Sequence, residues 1–362
     1  MNRQLLRKLV AEFVSDSKKD SAKLSSELNE RRDLTNYYRS FTKDRILSMT
    51  PEDLYQYLSK LWAMLIWGNK HYVVDKAIEE NGLQKLREKL AELVWGNQDI
   101  SDRWDDFRHE IKGIGPAMIS EILCKTHPND FMLWNRRAFV ALRYLEVTNL
   151  PRYDYQLTGK KYKYLCDVCK EIAQELKEAG AEDSTLYAVD YFIWDKLQVE
   201  DKLTQIHETK PETEGEKGTE KVEESKFMHN DIRDKLRDIG QWLGFVAAIE
   251  QKVAEGSKVD TIWEATIGNM GRVIYVFEVQ TKGSVDSLMV NLLKTLNNSA
   301  VQGVVAVSDS EQLETIKKHA LDVRDLRDKL KYWHYEEVLR VHEYLSYVNE
   351  CINKLGLVPQ GF

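Results

Sequence analysis

A chain of 362 residues exceeds what one hydrophobic core usually organises, so two domains with a joint between them are expected. Hydrophobic residues make up 43% and charged residues 31%, and a formal net charge of -7 excludes a generally basic coat for nucleic acid while leaving room for a local basic surface. The opening MNRQLLRKLVAEFVSDSKKD lacks the uninterrupted apolar stretch of a secretory signal, and no later run approaches the roughly 18 apolar residues that span a bilayer, so a soluble, cytoplasmic chain with no membrane partner is expected.

From Met1 to about residue 204 the apolar residues recur at three- and four-residue intervals, as in Leu54, Tyr57, Leu58, Leu61, Trp62 and Leu65, which predicts an all-helical domain. Thr50-Pro51-Glu52-Asp53 marks one helix start, with Thr50 as cap, Pro51 in the first turn and two acids at the positive end of the dipole. Trp62, Trp67 and Trp95 fall at helical spacing and read as packing residues. Cys124, Cys166, Cys169 and Cys351 are too few and scattered to staple the chain, so reduced thiols are expected. Cys166 and Cys169 share one face of an amphipathic helix; burial in a helix interface is the preferred reading over half a zinc site.

Within this region Gly113-Ile114-Gly115 separates two helical patterns, and such glycines permit a tight turn whose amides and following helix start can hold a phosphate. Lys112, Lys125, Arg136 and Arg137 supply a candidate phosphate patch around it. Phe131 and Trp134 either stack on a base or fill the core, the latter being preferred. The segment resembles the helix-hairpin-helix class of DNA-binding motifs, which implies DNA contact, and a purely structural turn stays open beside it. The helical surroundings are faintly similar to DNA glycosylases. Trp134 and Asn135 stand near the catalytic Asp that resemblance implies, Ala117 stands near its Lys, and Asp130 more simply ends a loop, so base excision is not expected.

Residues 205–228, containing HETKPETEGEKGTEKVEESK, offer almost no apolar side chain to offset the entropy of ordering and predict an acidic flexible linker, with a long solvated helix as the competing reading. After it, HNDIRDKLRDIGQWLGFVAAIEQKVAEG predicts one helix whose buried face comprises Ile232, Leu236, Ile239, Leu243 and Val246. KVDTIWEATI and GRVIYVFEVQTKG then read as two hairpin strands joined by a turn at Gly268-Asn269-Met270-Gly271. A helix (SVDSLMVNLLKTLNNS), a buried strand (VQGVVAVS) returning parallel through a crossover, and a further helix (EQLETIKKHAL) follow, giving the order αββαβα. Long helices are expected from about Leu321 to Leu355. The fold class is therefore multidomain, α plus α/β, with a domain at 1–204, the linker, a domain at 229–320 and a helical extension at 321–362.

Alternation along the second strand puts Glu278, Gln280 and Lys282 on one face, and Asp260 on the preceding strand gives a second carboxylate a route to the same place. Two carboxylates and a strand carbonyl are hard oxygen ligands of the kind Mg²⁺ takes while keeping waters and substrate phosphate oxygens. A half-buried strand pair with polar edges is the plain alternative, but EVQTK inside so apolar a strand brings a carboxylate near a core at a cost that function would explain.

Val259-Asp260 and Glu278-Val279-Gln280, eighteen positions apart, resemble the signature of the PD-(D/E)xK (restriction endonuclease-like) nuclease superfamily, over about a quarter of the chain. The sequence departs from that signature at Gln280, where Lys is usual, and in showing two strands before the helix where that family has three. The resemblance implies a hydrolase: a magnesium-dependent DNA endonuclease, with Mn²⁺ as substitute, in which Asp260, Glu278 and the Val279 carbonyl hold the metal, Gln280 orients water and products carry 5′-phosphates. Lys282 stands one pleat beyond Gln280 as a source of charge. Glu250 matches an extra acid that the family carries on its first helix, with an exposed helix acid as the equal alternative. Restriction or another genome-defence role is the leading expectation, with DNA as partner and a homodimer cutting two strands. A nuclease-fold DNA-binding or assembly protein with weak catalysis is the alternative, and a base-damage repair protein the lesser one.

Overall fold

The computed structural model describes residues 1–197, 218–266, 271–281, 284–321, 323–327 and 329–355, with backbone alone for 218–226. They fall into two compact units, one within 1–220 and one within 221–358. Among the described residues no helix is long and apolar enough to cross a membrane.

The first unit is helical throughout: α1 (Arg3–Lys19), α2 (Ser21–Arg39), α3 (Lys43–Leu47), α4 (Pro51–Ser59), α5 (Lys70–Asn81), α6 (Leu83–Trp95), α7 (Ile100–Glu110), α8 (Pro116–Thr126), α9 (Arg136–Tyr144), α10 (Gly159–Glu178) and α11 (Leu186–Leu197). Thr50 caps α4 in a reciprocal capping box with Asp53, so two orphan amides of the first turn are satisfied. Trp104 lies at the centre of the core, stacked on Tyr162 at 4.0 Å, with its indole N–H donating to the Leu157 carbonyl. Cys124, Cys166 and Cys169 are buried free thiols, the last two on α10 against the core; Cys351 is an exposed free thiol. Trp62, Trp67 and Trp95 are partly buried against core clusters.

Helix α12 (Gly218–Trp242) supplies the start of the second unit from Lys221, so the expected linker is helical from Gly218 onward, while residues 205–217 lie outside the described ones. The helix carries apolar side chains before residue 229: Phe227 is buried, and Met228 packs against the cluster formed by Ile232, Leu236 and Ile239 with the sheet. The single helix expected across 229–256 is not formed. It stops at Trp242 in a Schellman motif, where Gly244 takes φ 88° and the Phe245 and Gly244 amides donate to the carbonyls of Gly240 and Gln241. Beyond that stop the chain runs as strand β1 (Val246–Ala254), and Leu243 and Val246, expected in the helix's buried face, are 54% and 66% exposed.

Strands β2 (Ser257–Thr266) and β3 (Arg272–Val279) form the expected hairpin, and residues 268–270 of its turn lie outside the described ones. Helix α13 (Val285–Thr295), strand β4 (Val301–Ser308) and helix α14 (Ser310–Leu321) follow. The expected helical extension is interrupted: a short α15 (Arg324–Arg327) leads to strand β5 (Leu330–His334), and only then does α16 (Tyr335–Lys354) begin. Leu330 is buried beside Val304, so pairing with a central strand outweighs the helical bias of its charged neighbours.

The sheet has the order β1-β2-β3-β4-β5, antiparallel through β3 and parallel from β3 to β5. Helices cover both faces. Ile262, Ile274, Val276, Val304 and Ala306 pack with Leu288 and Leu292 of α13 and Ile316 of α14. Trp263, Phe277, Val279 and Val307 pack on the other face with Ile232, Leu236 and Ile239 of α12 and Val338 of α16.

Gly240 allows α12 to close on the sheet. A Cβ there would stand 2.5 Å from ring atoms of Trp263 and 2.9 Å from the Ala247 Cβ, and the indole is held by its bond to the Leu236 carbonyl at 2.8 Å. Gly240→Ala is therefore expected to lower the denaturation midpoint of this unit, because overpacking costs about 1–3 kcal/mol against the ~1 kcal/mol that alanine gains in a helix. A raised midpoint would show that the helix can shift to accommodate the methyl.

Candidate active site

Asp260 and Glu278 face each other across the β2–β3 hairpin. The ladder pair Thr261↔Phe277 puts them opposite one another one residue further on, at the end of the hairpin next to the crossover into α13. Phe277 and Val279 point into the α12 layer, so Glu278 between them points toward α13. Both partners of the second strand are well buried, Glu278 and Gln280 each being 8% exposed.

Each carboxylate is gripped by a different helix. On Asp260, Oδ2 accepts the Val279 amide at 2.8 Å and stands 3.3 Å from Nε2 of His229 on α12. On Glu278, Oε1 accepts from Nδ2 of Asn291 on α13 at 2.5 Å. The orientation of that amide is fixed by its surroundings: Nδ2 also donates to the Lys258 carbonyl at 2.9 Å, and Oδ1 accepts the Ser257 hydroxyl at 2.7 Å. The two carboxyls hydrogen-bond to one another.

Their titration follows from this geometry. Burial and then the Asp260 charge push the Glu278 carboxyl up to about 9, against the opposing pull of Asn291. Burial alone would raise Asp260 as well, but its bonds to His229, the Val279 amide and the Glu278 proton outweigh burial and hold it below the ordinary carboxyl range. Burial works to lower His229, and the bond and charge of Asp260 outweigh it and raise the imidazole.

The arrangement fits a small divalent cation. A buried Glu278 opposed to a half-buried Asp260 forms a place where a cation would neutralise both. Next to them the Gln280 side-chain nitrogen is buried without a hydrogen-bond partner among the described residues, while its backbone is fixed by its own amide donating to the Val307 carbonyl and its carbonyl accepting the Ser308 hydroxyl. Among the described residues no three His, Cys, Asp or Glu side chains converge on one point, so such a cation would draw the rest of its shell from backbone and water.

Comparison with known protein families, characterised proteins and solved structures finds no match.

Glu250 is not on a helix. It sits on β1 between the ladder partners of Thr261 and Val259, at φ 52°, with its carboxylate bound to Arg233 of α12 and to Lys258, each at 2.8 Å. A non-glycine residue at positive φ inside a strand carries strain of about 1–3 kcal/mol, held here by the two ion pairs beside Asp260. Lys282 lies outside the described residues. His229 and Asn291 carry the two carboxylates and were missed in the sequence. A lone His at a linker's edge gives no signal, and the only hint at Asn291 is an amide beside Leu288, Met289 and Leu292 on an otherwise apolar face.

In the helical unit, α7 and α8 are joined by the 111–115 turn, with Gly113 at φ 78° and Gly115 starting α8 without a side-chain cap. Asn81 clamps the turn from both sides of Lys112, donating to its carbonyl at 2.9 Å and accepting its amide at 2.8 Å. Lys112, Arg136 and Arg137 are partly exposed. Lys125 is not a surface cation: it is 0% exposed, bound at 2.6 Å to Glu121, whose carboxylate receives the Trp62 and Ala63 amides. A buried acceptor of two amides needs a counter-charge, and the i,i+4 lysine supplies it. Trp134 is a core residue and Phe131 packs on the core; Asn135 caps α9, and Asp130 is exposed.

In the metal-free folded chain Glu278 keeps its proton up to about pH 9, whereas the unfolded chain releases it near the ordinary carboxyl value. Stability from this group is thus complete below that ordinary value and declines as pH rises through the folded value. Denaturation midpoints in chelator at pH 5, 7 and 9 are expected to fall with pH for the native chain and to fall less for Glu278→Gln. Equal slopes would mean that Glu278 is already ionised in the folded chain.

Proposed function

We propose that the second unit is a PD-(D/E)xK-type, magnesium-dependent DNA endonuclease, of restriction or other genome-defence kind, to which the helical unit contributes DNA contacts. The observation that carries this reading is the pair of half-buried Asp260 and buried Glu278, opposed across β2 and β3 at the hairpin end, with Gln280 one pleat further on. The αβββαβ order from α12 to β4 supports it too, since β1 supplies the third strand that the family core requires and the sequence did not reveal.

Asp260, Glu278 and the Val279 carbonyl would hold the cation. A divalent cation there supplies Lewis-acid polarisation of a phosphodiester and makes water a stronger nucleophile near neutral pH. Gln280, with an unpaired buried amide nitrogen, orients the attacking water or a phosphate oxygen. Water adds to phosphorus and the 3′ oxygen leaves, so the products carry 5′-phosphates. Because Gln280 is neutral, no positive side chain at that position offsets the charge gathering on phosphate, and the reading expects slow turnover. Glu250, neutralised by Arg233 and Lys258, anchors β1 and α12 behind Asp260 and has no role as a second-cation ligand. The Gly113–Gly115 turn, Lys112, Arg136 and Arg137 remain the candidate phosphate contacts, without Lys125. A homodimer would give each strand of a duplex its own centre.

The neutral Gln280 also favours a second reading, a nuclease fold kept for DNA binding or assembly. Plasmid incubated with Mg²⁺ or Mn²⁺ is expected to be cut by the native chain and at least about a hundredfold more slowly by Asp260→Ala and Glu278→Ala. Equal cutting by all three would remove these residues from the centre. Binding of duplex without cutting, on modified and unmodified DNA alike, would establish the second reading.

A further inference from the structure

Apart from their bond to one another, each carboxylate takes its donors on one oxygen only. The Val279 amide and His229 occupy Oδ2 of Asp260, and Asn291 occupies Oε1 of Glu278. Asn291 is itself fully committed, one N–H going to Glu278, the other to the Lys258 carbonyl, and its oxygen to the buried Ser257 hydroxyl. It therefore ties α13 to the start of β2 and to Glu278 on β3 at once, and turning aside would break its bond to the Lys258 carbonyl.

We infer that Asn291 is a positioning residue that holds Glu278 to one-oxygen coordination and so selects a small octahedral cation over calcium. The inference rests on the reading of Asp260 and Glu278 as cation ligands. The physical ground is the difference between the ions. Mg²⁺ and Mn²⁺ accept six ligands in near-ideal octahedral geometry and tolerate single-oxygen carboxylates completed by water, whereas Ca²⁺ takes six to eight ligands and gains from two-oxygen carboxylates. With Oε1 bound to Asn291 and Oδ2 bound to the Val279 amide, each acid offers its other oxygen. Loss of the Asn291 amide releases Oε1, which disorders the Glu278 rotamer and at the same time opens the two-oxygen mode that calcium favours.

The test is calorimetric titration of the full-length chain with Mn²⁺ and with Ca²⁺, for the native protein, Asn291→Ala, Ser257→Ala and Glu278→Ala, with thermal melting in chelator as the folding control. Asn291→Ala is expected to lose about 10- to 100-fold in Mn²⁺ affinity, the range for removing a residue that orients a ligand. Its Ca²⁺ affinity is expected to fall less, so that the Mn²⁺/Ca²⁺ ratio drops at least about threefold. Ser257→Ala, which frees the Asn291 oxygen and removes nothing that touches Glu278, is expected to move the ratio in the same direction by a smaller factor, and it stands in for Asn291→Ala if that variant does not fold. An unchanged ratio in folded variants, with native Mn²⁺ binding that Glu278→Ala abolishes, overturns the role of Asn291 and leaves the nuclease reading intact. Native binding that Glu278→Ala leaves unaltered, or no native binding, overturns the reading on which it rests.

Discussion

Two carboxylates directly opposite one another on neighbouring strands repel, and the β2–β3 hairpin places Asp260 and Glu278 in that relation inside a largely buried setting. The repulsion is eased because burial and the Asp260 charge favour the protonated form of Glu278, and because each acid has a dedicated donor. That arrangement depends on one register. A slip of a single residue would send every side chain of β3 to the other face and separate the acids. The Val279 amide on β3 donating to Asp260 on β2 at 2.8 Å ties that register, and two bonds fix β2 against α12, the Thr261 hydroxyl to the Arg233 carbonyl at 3.1 Å and the Trp263 indole to the Leu236 carbonyl at 2.8 Å. Gly240 permits the approach that the second bond requires. The packing of α12 on β2 is thus the constraint on which the geometry of the acid pair rests.

The acid pair was legible in the sequence, because carboxylates at Asp260 and Glu278 interrupt two strands whose other residues are β-branched or aromatic. The strand preceding them was not. VAAIEQKVA is rich in alanine, glutamate, glutamine and lysine, all favourable in helices, and its burial alternates only over its first half, so it read as the continuation of α12. The stop signal was present in Leu243-Gly244-Phe245, where Gly244 permits the left-handed turn, but a single glycine in a periodic stretch is weak evidence without the backbone bonds it closes. β5 was hidden for a similar reason: five residues between two helices offer too few periods to reveal a strand, and its position is decided by β4. Lys125 exposes another limit. Charge alone suggested a surface contact, whereas its partner Glu121, four residues earlier on α8, was the clue to a buried pair.

The buried Glu121–Lys125 pair and the opposed Asp260–Glu278 pair solve the same problem differently. Glu121 caps the Trp62 and Ala63 amides and is neutralised permanently by a lysine of its own helix, which suits a structural joint. Among the described residues no lysine pairs with Asp260 or Glu278, whose donors are the Val279 amide, His229 and Asn291. Their neutralisation is left to a proton, a partly exposed imidazole and whatever enters from outside.

That difference bears on stability. A group whose folded pKa lies well above its unfolded value makes the metal-free fold less stable as pH rises, whereas an ion that binds the folded chain alone stabilises it by mass action. At neutral pH and above, a cation held by the pair would stabilise the second unit in two ways, by the binding energy itself and by removal of an unfavourable charge opposition. Because His229 reaches Asp260 from α12 and Asn291 reaches Glu278 from α13, an ion between the carboxylates would couple the helical layers on the two faces of the sheet. The acid pair is in this sense a weak point of the fold that a bound cation would turn into a cross-link, the kind of stability cost that functional sites commonly carry.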